Sequence, residues 1–155
     1  MNVNWKKLLI CLAIPLAVGG LGALLGGGMD TYQTLHQPPL SPPGWLFPIV
    51  WTILYLLMGW ASYRILVSDA PREERKKALT FYSIQLFLNF LWPVVFFGLG
   101  WYWAAFILLL ALWVMIYLTM HLFGLIDDTA ENLLIPYLLW VTFAGYLNLG
   151  VALLN

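Results

Sequence analysis

Charge is what this sequence has least of. Only 9% of its 155 residues are Asp, Glu, Lys or Arg, and seven basic side chains cancel seven acidic ones. A soluble domain carries about 25% charged residues. Zero net charge and the lack of a long basic tract exclude the electrostatic footprint of nucleic-acid binding. A single cysteine, Cys11, excludes an intrachain disulfide and a redox pair. Two histidines, His36 in a loop and His121 near the end of an apolar run, do not combine with Cys11 in a distant run to give three ligands for a metal, so no metal site is expected. Asp30, His36 and Ser41 share one loop and could be drawn as a nucleophilic triad, but these residue types are ordinary turn formers. His121 reads as an interfacial imidazole rather than an axial haem ligand. What remains is 63% hydrophobic and 17% aromatic, with a mean hydropathy of +0.86. Such a chain belongs in a bilayer.

The few charges are bunched, and the bunching exposes the spans. Lys6 and Lys7 form one group, Arg64 to Lys77 a second, and Asp127, Asp128 and Glu131 a third. Between them the sequence predicts five membrane-spanning helices, over 8–26, 45–67, 79–98, 101–123 and 133–154, each long enough to cross a hydrocarbon core of about 30 Å. The expected fold is an all-α membrane protein, a five-transmembrane-helix bundle forming one domain over 1–155, with an outer loop at 27–44. Five spans put all seven Lys and Arg on one side and none on the other. The positive-inside bias then makes the N-terminus cytoplasmic and the C-terminus external. Lys6 and Lys7 before an apolar run also suggest a signal peptide. The run is longer than a signal core, however, and ends in Gly26-Gly27-Gly28 without a clean cleavage site, so it is read as a span. No Asp, Glu or Lys lies inside any span, which disfavours ion pumps and proton-coupled exporters, since both need a relay at depth.

The outer loop holds Pro38-Pro39 and Pro42-Pro43. Paired prolines fix φ and favour extended backbone, so a stiff lid over the bundle mouth is expected. A rigid linker is the alternative. Of nine tryptophans, Trp5, Trp45, Trp101 and Trp103 fall at span ends, where indole suits the headgroup level. Deeper residues fall on helical faces: Trp51, Tyr55, Met58 and Ser62 in the second span; Gln85, Asn89 and Trp92 in the third; Tyr137, Trp140, Ala144 and Asn148 in the fifth. Polar side chains at that depth need partners, so these faces should converge. They either glue helices together or line a slot for a flat apolar ligand with polar edges. Gly22-x-x-x-Gly26 offers a close-packing surface, used either within the chain or in a dimer.

The paired prolines followed by Trp45-Leu46-Phe47-Pro48-Ile49-Val50-Trp51 and on to Gly59, then Gln85-x3-Asn89-x2-Trp92, then Pro136-Tyr137-Leu138-x-Trp140-x2-Phe143-Ala144-x2-Leu147-Asn148, resemble the tryptophan-rich sensory protein and translocator protein family in three motifs, in order, across essentially the whole chain. The resemblance, to a bacterial member, implies a membrane protein of the bacterial cell, commonly a homodimer. It would bind protoporphyrin IX, haem and related tetrapyrroles under the first loop as ligands rather than as required cofactors. Animal members also bind cholesterol and isoquinoline or benzodiazepine drugs, and some bacterial members suggest a light-dependent porphyrin-degrading activity. Carried over by position, the pocket would use Trp51, Tyr55, Asn89, Trp92, Trp140 and Ala144, with Gln85 and Asn148 as further polar candidates and Pro38, Pro39, Pro42 and Pro43 as its lid. Trp51 and Trp140 would be the redox-active neighbours of a photoexcited porphyrin. One departure is clear: a sterol-recognition pattern needs a basic residue soon after a tyrosine, and none follows Tyr146. Weak or no cholesterol binding is therefore expected. A reversed pattern, Lys77-x4-Tyr82-x3-Leu86, reads as an interfacial lysine.

Overall fold

In lipid an apolar run has no water to satisfy its amides, so it closes its own hydrogen bonds as helix. The computed structural model, which describes residues 2–27 and 30–155 with Asp30 and Thr31 as backbone only, has helices as its only regular elements among those residues. In chain order the helices are α1 (Trp5–Leu25), α2 (Asp30–Thr34), α3 (Leu46–Leu66), α4 (Arg72–Pro93), α5 (Tyr102–Gly124), α6 (Asp128–Leu133) and α7 (Ile135–Leu154). Among the described residues five helices, α1, α3, α4, α5 and α7 with their continuations, are long and apolar enough to cross a membrane. Gly28 of the glycine run and the Asp30 carboxylate of the discounted triad lie outside what is described.

The boundaries follow local chemistry. Asn4 Oδ1 accepts from the Lys7 amide at 3.1 Å and so caps α1. α4 begins at Arg72, not at Leu79 as the apolar run suggested. Pro71 stands at its N-cap and Glu73 and Glu74 occupy its first turn, where negative charge suits the helix dipole. Its charged turns therefore project beyond the apolar zone. The 124–132 connection contains α6, capped by the Asp127 carboxylate on the Thr129 amide at 3.0 Å.

Glycines set the closest helix contacts. A side chain at Gly59 would strike the backbone of Cys11 and Leu12, so α1 and α3 meet there. Gly22 and Gly26 face Phe90 and Pro93 of α4. The Gly-x-x-x-Gly surface is thus used inside the chain rather than held free for a partner. α5 packs between α4 and α7, and Met58, Ile65, Leu112, Ile116, Phe123 and Tyr137 fill the core. Where α3 faces α7, rings span the gap: Phe47 meets Trp140 at 5.9 Å and Trp51 meets Tyr137 at 6.2 Å.

At the charged end Arg64 pairs with Asp127 at 2.6 Å. Partial burial would raise the Asp127 carboxyl, but hydrogen bonds from Arg64 and from the α6 backbone outweigh it and hold the group below its ordinary value. Arg75 donates to the carbonyls of Leu66 and Ala70, both at 3.0 Å, satisfying the end of α3. At the other end α4 runs through Pro93 into a π-helical turn over Val94–Gly98. Pro93 has no N–H for the carbonyl one turn back, which loosens the ladder where the wider turn begins. Gly100, at a φ of 68°, then reverses the chain into α5.

Candidate functional site: an aromatic cavity under the first loop

A cavity of about 300 Å³ lies among α1, α3, α4 and α7, roofed by the first loop. Its walls are mostly rings. Trp51 stacks on Tyr55 at 5.5 Å and Trp92 on Phe96 at 5.0 Å, while Phe97 turns its edge to Trp92 at 5.8 Å. Across from these sit Trp140 and Ala144. Leu16, Gly20 and Ala23 of α1 and Pro48 and Thr52 of α3 border the cavity on its outer side, and Gly20, Ala23 and Thr52 are exposed. It therefore has an opening between α1 and α3 on the lipid face.

Beneath the rings runs a chain of buried hydrogen bonds. The Tyr55 hydroxyl donates to Asn89 Oδ1 at 3.0 Å, Asn89 Nδ2 donates to the Tyr137 hydroxyl at 2.7 Å, and Tyr137 donates to Gln85 Oε1 at 2.7 Å. A second chain fixes the far wall: Trp92 Nε1 donates to Asn148 Oδ1 at 3.0 Å, and Asn148 Nδ2 to the Tyr102 carbonyl at 2.9 Å. These bonds set ring orientation, because each hydroxyl or indole is tied to a helix other than its own. Gly19 allows the arrangement, since any side chain there would collide with the Tyr55 ring. Trp140 is the exception. Its Nε1–H is buried at the wall with no partner, and an orphaned donor of this kind costs about 1–3 kcal/mol.

Seven of the eight residues expected at the slot line it: Trp51, Tyr55, Asn89, Trp92, Trp140, Ala144 and Asn148. Gln85 does not. It is 1% exposed and sits behind the wall, accepting from Tyr137. Gln85 therefore joins helices behind the wall, whereas Asn89 and Asn148 join helices and also border the cavity.

None of the four prolines borders the cavity. Pro38 packs on Gly150 of α7, the Pro39 carbonyl accepts from the Tyr146 hydroxyl at 2.6 Å, and the Pro42 carbonyl accepts from the Tyr32 hydroxyl at 2.8 Å. The inner surface is made by Tyr32 and Phe47, whose rings meet at 5.0 Å. Burial raises the Tyr32 phenol above its ordinary value, with the nearby Ser41 hydroxyl opposing, so it stays a neutral donor. Asn155 clamps the loop from α7, accepting from the His36 amide at 3.2 Å and donating to its carbonyl at 2.9 Å. Ser41 Oγ donates to the Pro38 carbonyl, as a turn former does.

Sequence reasoning missed Tyr32, Phe47, Phe96, Phe97 and Gly19. The adjacent Phe96 and Phe97 just after Pro93 were the available signal, since a proline-broken span end with two rings marks an irregular, wall-forming turn. Among the described residues no group of three His, Cys, Asp or Glu comes together for a metal.

The family model described as TspO/MBR family matches residues 11–154. The tryptophan-rich protein TspO of Chlorobaculum tepidum is 39% identical, covering 100% of this chain and 99% of its own. A tryptophan-rich sensory protein of Cereibacter sphaeroides is also 39% identical, over 100% and 95%. The translocator protein of Bos taurus is 38% identical, over 96% and 89%. With the model spanning nearly the whole chain and such relatives on both sides of the bacterial and animal divide, this integral membrane protein belongs to the TspO/MBR family.

Proposed function

We propose that the protein binds porphyrins and haem-pathway tetrapyrroles, protoporphyrin IX or haem, in the aromatic cavity, and that it senses, sequesters or hands on these ligands. The observation that carries this reading is the unpartnered Trp140 Nε1–H on a wall otherwise built of ring faces. Ring faces take a flat conjugated body, and a buried orphan donor asks for an acceptor at its edge, such as a pyrrole nitrogen or a carboxylate. A volume of about 300 Å³ is at the small end for ligand pockets. The macrocycle then extends through the opening between α1 and α3. Relatives named for sensory and translocator roles agree with this. Isoquinoline and benzodiazepine-type compounds, also flat and ring-rich, use the same wall. Cholesterol binds more weakly, because no basic residue follows Tyr146 and its hydroxyl is already committed to the Pro39 carbonyl. The protein lies in a bacterial cell membrane with its N-terminus cytoplasmic, as the seven-to-zero charge partition favours. Its homodimer uses a face other than Gly22 and Gly26, which are consumed against α4.

A second reading rests on Trp51 and Trp140 together. Both indoles border the cavity, within reach of a photoexcited porphyrin, so light- and oxygen-dependent degradation of protoporphyrin IX is the enzymatic alternative. One experiment addresses both readings. Purified protein is titrated with protoporphyrin IX and with cholesterol in the dark, then illuminated in air while the visible spectrum is followed. Tighter porphyrin than sterol binding supports the binder. A new stoichiometric product absent from the Trp51→Phe and Trp140→Phe variants supports the enzyme. Sterol affinity equal to or above porphyrin affinity overturns the reading.

A further inference from the structure

A second cavity, about 560 Å³, runs along the outside of the bundle between α1 and α4 toward the charged end and is closed at its inner edge by Ser62 and Leu66 of α3. It shares no lining residue with the aromatic cavity. On α1 its wall is the stripe Cys11, Ile14, Val18 and Leu21, and on α4 it is Leu79, Ser83, Leu86 and Phe90. The spacing puts each set on one helix face. From Leu79 to Phe90 the groove is about 16 Å long at the helical rise, the shape of an extended chain rather than of a flat ring.

The groove is graded in polarity. Its far end is purely aliphatic and aromatic, whereas near the charged end it meets Cys11, Ser62 and Tyr82. Tyr82 is 6% exposed, its ring packs on Phe123 at 5.9 Å, and its hydroxyl has no hydrogen-bond partner. The neighbouring Ser62 hydroxyl gives its hydrogen to the Gly59 carbonyl at 2.8 Å, and its oxygen does not meet the Tyr82 hydroxyl in hydrogen-bonding geometry. A buried phenol left unpaired beside an apolar groove needs an acceptor that arrives with the occupant. Continued by one turn toward the charged end, the α1 stripe reaches Lys7 and the α4 stripe reaches Lys76. Both are exposed, and among the described residues Arg64 and Asp127 make the one ion pair, so neither lysine has an anionic partner.

We propose that this groove is a binding site for an anionic glycerophospholipid, with one acyl chain along the α1 and α4 stripes, its ester carbonyl accepting from the Tyr82 hydroxyl, and its phosphate held by Lys7 and Lys76. The three features fall in the order in which such a lipid presents its parts: chain, carbonyl, phosphate. Lys77 of the reversed sterol pattern lies off this stripe.

The test uses the full-length protein released from nanodiscs, with retained lipid counted per chain by native mass spectrometry. The lipids are dioleoyl phosphatidylglycerol and dioleoyl phosphatidylcholine, compared at equal mole fraction. Wild-type protein should retain phosphatidylglycerol in preference to phosphatidylcholine. Lys7→Gln and Lys76→Gln should each cut phosphatidylglycerol retention about fivefold, the effect of one basic residue near an anionic surface, and leave phosphatidylcholine unchanged. Tyr82→Phe, which keeps the ring on Phe123, should lower retention of both lipids by about two- to tenfold. None of the three should move protoporphyrin IX affinity, because none borders the aromatic cavity. Equal retention of both lipids, or a Tyr82→Phe variant that retains as much as wild type, overturns the proposal. So does disulfide crosslinking between copies through Phe87→Cys in a Cys11→Ala background, in full yield, which would mean that a second copy covers the groove.

Discussion

Replacing Trp140 by Phe separates a group that waits for a ligand from one that holds the protein together. In the free protein the Trp140 Nε1–H is buried without a partner. Its removal relieves a cost of about 1–3 kcal/mol and gives up part of a ring, roughly 1 kcal/mol of burial. Thermal stability without ligand should therefore stay level or rise slightly. Binding should move the other way. If the porphyrin accepts from that N–H, its loss removes about 1–3 kcal/mol, a factor of about 5 to 150 in Kd. Asn89→Ala should show the opposite split. Both of its amide atoms are taken, by Tyr55 at 3.0 Å and Tyr137 at 2.7 Å, so the substitution breaks two buried bonds and strands the Tyr55 hydroxyl, while Tyr137 keeps its bond to Gln85. A loss of about 2–4 kcal/mol of stability is expected, from two bonds at about 1 kcal/mol and the unsatisfied hydroxyl they leave. The assay pairs ligand-free thermal unfolding with a dark protoporphyrin IX titration read by absorbance, which avoids the altered tryptophan emission. A Trp140→Phe protein that unfolds as early as Asn89→Ala while binding porphyrin as wild type does would refute the reasoning.

Gly19→Ala should push the Tyr55 ring out of place and break its bond to Asn89, costing about 1–3 kcal/mol as overpacking does, with weakened porphyrin binding in the same titration; unchanged affinity and melting would refute the fit. Asp127 has a folded pKa below its unfolded one, so its stabilisation is present above the unfolded value and is lost as pH falls through the folded one, below about pH 4. Because the Arg64 side chain is 37% exposed, the pair contributes at most about 1 kcal/mol, and Asp127→Asn should melt slightly earlier than wild type at pH 7, with the difference shrinking as the pH is taken down below about 4. Cysteines placed singly at positions 34 and 74 in a Cys11→Ala background should label only from outside and only from the cytoplasm, respectively, and reversed labelling would overturn the orientation.

The spans and the converging faces were legible because lipid leaves a chain few options. Without water, an apolar run has to be helix, and a polar residue within it has to find another. That logic put Trp51, Tyr55, Asn89, Trp92, Trp140, Ala144 and Asn148 on converging faces, the family resemblance pointed to a pocket there, and all seven border the cavity. Depth was not legible. Helical spacing alone does not tell Gln85, one turn from Asn89 and behind the wall, from Asn89 itself, because the two share a face and differ only in how far the neighbouring helix stands off. The use of Gly22 and Gly26 was equally hidden, since a smooth glycine stripe accepts α4 or a second chain alike, and only the position of Phe90 and Pro93 decides. The loop misled in another way. Its prolines are conspicuous in the sequence, but Pro38 and Pro39 clamp the loop to α7 and Pro42 ties it to Tyr32, and the ligand-facing surface belongs to the less conspicuous Tyr32 and Phe47.

The π-helical turn at Val94–Gly98 makes the length of this chain part of its pocket. A π turn accommodates one residue more than the α-helix it interrupts, so the segment behaves as an insertion kept in place by Pro93. Phe96 stacks on Trp92 four residues earlier, as an ordinary helix also allows, while Phe97, five residues on, sets its edge against the same indole, and this second contact depends on the extra residue. Deleting any single residue from 94–98 would let the helix close regularly and rotate everything after it by about 100°, so that one phenylalanine at most stays against the indole and the other turns toward lipid. Substitutions here would be graded in effect, whereas a one-residue deletion would be all or nothing: the reading frame of this wall is counted in residues, not in side chains.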